Sequence, residues 1–244
     1  LRLNSVVGVM GGFDDDGDLS SVGITCAFCH STVDNSFSDG IGKRLDGYPN
    51  RDLNVGVIIS LSDNLQALAD LLHVDVPTVS TVLNGWGPGR YNALLNMDGV
   101  ALRPDGQVAA NMIPAAFGLQ GVNLATYTGW GDMVYWNSYV GVTQMRGQGN
   151  FFDPRLNDAA HYPIAVENNL GNVMHHPDLV SPILPALQAY QLSLAAPVPD
   201  ESTYDFEAAE LGRELFNGAA QCATCHVPPT FTDSGHNLHT AEEI

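Results

Sequence analysis

All four cysteines of this 244-residue chain fall into two copies of one short pattern, and a histidine follows each copy directly. The first copy is Cys26–Ala27–Phe28–Cys29–His30 and the second is Cys222–Ala223–Thr224–Cys225–His226. Sulfurs three positions apart share one helical turn, so both can add to the vinyl groups of a single porphyrin. The neighbouring imidazole then reaches the iron. A disulfide within each pair leaves the histidines without a reason. A thioredoxin-type dithiol needs a βαβ setting that neither flank provides. A four-cysteine zinc site usually draws on halves much closer than the 196 positions separating Cys26 from Cys222. Two covalently attached c-type haems are therefore the expected cofactors. Cys26, Cys29, Cys222 and Cys225 are the expected attachment points, with His30 and His226 as iron ligands.

Nine basic against twenty-seven acidic residues give a formal charge of −18. A surface so negative repels nucleic acid and anionic lipid and steers basic partners toward it. No run approaches the roughly 18 apolar residues of a spanning helix, so no integral membrane segment is expected. The chain opens on Leu1 without a basic leader, as it would after removal of a signal peptide or if residues were missing.

Along the chain, residues 11–23 form an acidic, glycine-rich run. Asp14, Asp16 and Asp18 could offer oxygens to calcium, but Leu19 stands where an EF-hand loop needs glycine, which favours a solvated turn. Lys43, Arg44 and Arg51 follow the first motif closely. Arg44 and Arg51 are candidates to pair with haem propionates, since a guanidinium matches a carboxylate in bidentate fashion.

Residues 62–74 read as a short helix. Ser62 or Asp63 caps it, Leu65, Leu68, Ala69 and Leu72 face inward, and His73 stands at its end. Residues 84–131 read as a long turn-rich loop able to wrap a cofactor. From Asp132 to Gly147 a helix is expected whose two faces are both apolar, hence buried on both sides. Small residues beside Met145 make it the leading distal ligand for one iron. A further helix spans 181–197, with Ile183, Leu187, Tyr190 and Leu194 on one face. Residues 196–203 read as a proline-rich linker, and a helix capped by Asp205 leads into the second motif. Pro228 and Pro229 follow His226, where a proline carbonyl could accept the imidazole N–H. Six other histidines compete for the distal places: His73, His161, His175, His176, His236 and His239. His175, beside His176 and Met174, is the chosen candidate.

Residues 210–233, ELGRELFNGAAQCATCHVPPTFTD, resemble the haem-binding segment of the bacterial dihaem cytochrome c peroxidase and MauG-like superfamily. Residues 23–56 and 126–156 resemble, more loosely, other c-type cytochromes. The resemblance implies a mainly α fold of cytochrome-c-like helical haem domains with long loops. The corresponding division is a first haem domain over 1–195, a linker over 196–203 and the start of a second haem domain over 204–244. It also implies a periplasmic or extracellular location, because covalent haem attachment takes place there in bacteria. Two departures stand out. The motifs lie further apart than in the compact peroxidases. The 41 residues from Tyr204 to Ile244 also sit near the lower limit of about 40 for an independent core. Further sequence, or a second subunit in a homo-oligomer, is therefore expected to cover the second haem. The expected function is electron transfer to or from a basic redox partner, with hydrogen-peroxide reduction as the alternative.

Overall fold

The computed structural model describes residues 6–92, 110–122, 124–125 and 129–234. The described residues fall into two compact units. One comprises Leu1–Ala116 with Ser138–Ile183, and the other Phe117–Asn137 with Leu184–Ile244.

The first unit opens on a hairpin of β1 (Val9–Phe13) and β2 (Leu19–Ile24). Its connection is the acidic run. Asp18 N–H donates to Asp14 Oδ1 at 2.8 Å, and Gly17 N–H to Asp14 O at 3.0 Å, which closes a solvated turn. The first motif follows as the four-residue α1 (Ala27–His30) and runs straight into β3 (Ser31–Val33), which pairs with β4 (Arg44–Asp46). Then come α2 (Val55–Ser60), α3 (Gln66–Leu72) and α4 (Val76–Gly85), whose apolar faces meet. Ala69, Leu72, Val79, Val82, Leu83, Trp86, Ala110 and Ile164 form the core of this unit. Leu65 and Leu68 pack on that core as their spacing requires, while the cap of α3 falls at Leu65 rather than at Ser62 or Asp63.

A second ribbon pairs β5 (Arg90–Tyr91) with β6 (Asn111–Met112), and a third pairs β7 (Phe151–Phe152) with β8 (Asn172–Val173). The helix α5 (Met133–Tyr139) starts where expected, with Asp132 Oδ1 accepting Tyr135 N–H at 2.7 Å. It does not continue as an α-helix, because Val140–Gln144 form a π-helical turn. No residue from Met133 to Met145 is fully exposed, as the two-sided apolar pattern requires. Helix α6 (Pro163–Glu167) also belongs to the first unit, whereas Met133–Asn137 of α5 belong to the second.

The second unit holds α7 (Leu184–Ser193) and α8 (Phe206–Asn217). Leu184 is the buried residue of α7. Ile183 and Tyr190, expected to face inward, are 58% and 46% exposed. Asp205 caps α8 by accepting Ala208 N–H at 3.0 Å.

The expectation of a mainly α, cytochrome-c-like fold is overturned. Among the described residues the longest helix has 12 residues, and four two-stranded ribbons interleave with the helices. Turn-forming residues explain this: 25 glycines and 14 prolines cut the helical periods short. The intervening segments then meet their backbone hydrogen-bonding needs by pairing in ribbons. Among the described residues no helix is long and apolar enough to cross a membrane.

Candidate functional site

Each motif closes a short helical turn, α-helical over Ala27–His30 and 3-10 over Cys222–Thr224, and one backbone bond recurs in both. His30 N–H donates to Cys26 O at 3.0 Å, and His226 N–H donates to Cys222 O at 2.9 Å. Each bond spans four residues, so one helical turn closes over both sulfurs and sets the imidazole beside them. All four cysteines are free thiols in this structure; Cys26 is exposed and the other three are half-buried.

Both imidazoles are also oriented by their far nitrogen. His30 Nδ1 lies 3.1 Å from Pro114 O, and His226 Nδ1 lies 2.9 Å from Phe231 O. A carbonyl only accepts, so Nδ1 is the protonated nitrogen in each ring and Nε2 carries the lone pair. That is the tautomer and orientation in which a histidine binds a metal through Nε2, held from behind by a second-shell acceptor. A proline carbonyl was expected at the second motif, from Pro228 or Pro229. It occurs at the first motif instead, 84 positions away in sequence, while Phe231 serves the second.

The first motif is fastened from several directions. Thr25 N–H donates to Gly8 O at 2.9 Å, Gly47 N–H to His30 O at 2.9 Å and Asn50 N–H to Cys29 O at 2.9 Å. Asn50 Nδ2 adds a bond of 3.1 Å to Phe28 O, and Ala116 N–H reaches Gly47 O at 2.8 Å. The last carbonyls of the turn are thus satisfied by residues 47–50, and that loop is in turn tied to the segment bearing Pro114. Burial, with Cys26 beside it, pushes the Cys29 thiol up to about 11. Burial lowers His30 against the opposing effect of its bond to Pro114, which favours the neutral ring that a metal requires. Tyr91 is half-buried, and desolvation first and then Cys29 raise it as well.

Arg44 forms a bidentate pair with Asp46 at 2.8 and 2.9 Å, and Asp46 also accepts from Ser31 Oγ at 2.8 Å. Its fork is therefore directed to a protein carboxylate next to the motif. Arg51 is exposed and directly follows Asn50, the residue that fastens the motif turn. Met145 is half-buried in the same unit as the first motif, where its N–H closes the π-helical turn on Val140 O at 2.9 Å.

The second motif lies between α8 and the 227–234 segment. Gln221 enters it in the left-handed conformation, at φ 54°. Phe216 stands 6.3 Å from the His226 ring and 6.0 Å from Phe231. These two phenylalanines help line an open, largely apolar cleft of about 440 Å³, with Gly212, Arg213 and Pro228. A wider cleft near His73 includes no motif residue.

Of the other histidines, His73 Nε2 pairs with Glu167 at 2.6 Å and His161 Nδ1 with Asp158 at 2.7 Å. His175 and His176 are exposed, and the His175 N–H donates to Asn150 Oδ1 at 2.7 Å. His236 and His239 lie outside the described residues. Among the described residues, no three His, Cys, Asp or Glu side chains gather in a way that could hold a metal ion, the Asp14–Asp18 turn included. Pro114, Asn50, Tyr91, Gln144, Phe216 and Phe231 shape the two sites, and no motif in the sequence points to them.

No family model, curated protein or solved structure matches this chain.

Proposed function

We propose that the chain is a dihaem c-type cytochrome that transfers electrons outside the cytoplasm. One observation carries this reading. Both C-x-x-C-H segments, remote in sequence and in different surroundings, bond the histidine N–H to the first cysteine's carbonyl, with Nδ1 bonded to a further carbonyl and Nε2 left with the lone pair. A disulfide or a dithiol places no such demand on a histidine. The resemblance of residues 210–233 to a dihaem family supports the same conclusion.

Cys26 and Cys29 would hold the first haem through thioethers, and Cys222 and Cys225 the second. His30 and His226 would bind iron. Met145 is the proposed distal ligand at the first site, and Arg51 is proposed to meet propionates there, the Arg44 fork being taken by Asp46. Bound haem supplies one-electron chemistry at iron, with a potential set by axial ligand and burial. The chain's own part is to fix the imidazoles, to supply apolar surroundings through Phe216 and Phe231, and to present an acidic surface to a basic partner.

The test is intact mass together with pyridine haemochrome quantitation on protein matured in a haem-attaching host. Two haem additions per chain are expected, and loss of one each on Cys26→Ala/Cys29→Ala and Cys222→Ala/Cys225→Ala. Apoprotein mass alone, or zinc in place of iron, overturns the reading. Ready carbon monoxide binding by the reduced protein, with peroxide turnover, would move it to a peroxidase.

A further inference from the structure

We propose that Tyr91 and Gln144 are positioning residues for Met145 as the distal ligand of the first haem. This rests on the reading above, in which the first motif holds that haem. Residues from Asp132 onward carry the pattern of one continuous α-helix, yet Val140–Gln144 wind as a π-helix. Such turns occupy well under 1% of residues, and inside helices they cluster at functional sites. The additional residue turns everything after it by about 100° relative to a regular helix. Met145 is the residue on which the turn closes, with N–H to Val140 O at 2.9 Å, and Gly147 N–H then reaches back to Gly141 O at 2.8 Å.

Specific side chains hold this irregular turn. The Tyr139 carbonyl accepts the Thr143 hydroxyl at 2.7 Å. Gln144 Nε2 donates to Tyr139 Oη at 3.1 Å, and its Oε1 accepts from the Tyr91 hydroxyl. Tyr139 is fully buried and packs edge-on against Phe151. The amide next to Met145 is therefore clamped between two tyrosines in the core of the first unit.

The tyrosine at the far end of that clamp belongs to the ribbon that also orients His30. Tyr91 on β5 pairs with Asn111 on β6, and three residues past Asn111 is Pro114, whose carbonyl takes the His30 N–H. Strand β5 thus holds the side chain preceding the sulfur ligand, and the residues directly after its partner β6 hold the nitrogen ligand. A neutral thioether is a weak ligand that competes with solvent and small bases. Its hold on iron therefore depends on how closely the protein has placed it beforehand.

The holoprotein tests this through the sulfur-to-iron charge-transfer band of its oxidised form and the concentration of imidazole that displaces the sulfur. Met145→Ala should abolish the band while leaving the haem count at two. Tyr91→Phe keeps the ring and removes only the hydroxyl. It should weaken the band and lower the displacing imidazole concentration roughly five- to tenfold, the scale of one lost internal hydrogen bond. Gln144→Leu should do the same. Gln144→Glu, which keeps an acceptor for Tyr91, should restore most of the native value. Far-ultraviolet dichroism confirms that each variant is folded. Native band strength and imidazole sensitivity in folded Tyr91→Phe and Gln144→Leu overturn the positioning role and leave the dihaem reading standing. A band that survives Met145→Ala overturns the ligand assignment and the positioning role with it, and a chain without haem overturns the proposed function itself.

Discussion

The Cys29 thiol and Gly8 show how single residues set the behaviour of the first motif. A thiol raised from 9.0 to about 11 by burial binds its proton more tightly in the folded chain than in the unfolded one. The linkage follows: the stabilisation is fully present below about pH 9 and is lost as pH rises through about 11. Two units correspond to roughly 2–3 kcal/mol. In haem-free protein, urea midpoints should fall over this alkaline window, and Cys29→Ser should flatten the fall. Haem-loaded protein, whose sulfurs are thioethers in the proposed function, should show no such fall between the same pH values. Gly8 constrains the motif differently. It sits at φ +75°, and a Cβ there would overlap the Phe28 backbone nitrogen inside the first motif. Gly8→Ala combines left-handed strain of about 1–2 kcal/mol with displacement of the attachment turn. The expected outcome is protein carrying the second haem but little of the first, read by intact mass.

At the scale of elements, α2 and α4 cross closely enough that Gly56 faces the Leu83 carbonyl, with no room for a methyl group between them. Gly56→Ala must push the helices apart, and Leu83→Ala, in the same contact, should cost about 2–5 kcal/mol. Both should lower the thermal midpoint by several degrees without changing the spectrum of the second haem. Asn54→Ala removes the side chain that accepts Val57 N–H at the start of α2, at 3.1 Å, and should cost about 1 kcal/mol. The helices were the legible part of this fold. Asp132 and Asp205 mark real starts, and Leu65, Leu68, Ala69 and Leu72 lie on the face their spacing predicts. The two motif turns were legible too, because their chemistry is local. The β5–β6 and β7–β8 ribbons were not, since strands of two residues are shorter than any period that could announce them. Pro114 was hidden for a related reason. It holds His30 from 84 positions away through a backbone carbonyl, a group every residue has. The π-helical turn was hidden in part because Tyr91, which bonds to Gln144 within it, comes from 53 positions earlier in the chain.

Over the whole molecule, the net charge of −18 is sharpened by where the positive charges go. Arg44, Arg155 and Arg213 are each directed to a neighbouring carboxylate, on Asp46, Asp153 and Glu210. Pairing cancels their outward field at short range and leaves the unpaired acids to dominate at a distance. The pairs of Arg44 and Arg213, whose guanidinium groups are exposed, add little stability. The summed field, in contrast, governs how fast a charged partner arrives. A basic redox protein should therefore associate quickly at low ionic strength and slow as the Debye length shrinks from about 30 Å at 0.01 M to about 8 Å at 0.15 M. Stopped-flow oxidation of the reduced protein by a basic electron acceptor should show at least a tenfold drop in the second-order rate over that range. An acidic acceptor of similar potential should instead speed up as salt screens the repulsion. Rates that ignore ionic strength for both acceptors would show that encounter is not steered by the acidic surface. The partner would then have to be sought among proteins that dock through apolar contact.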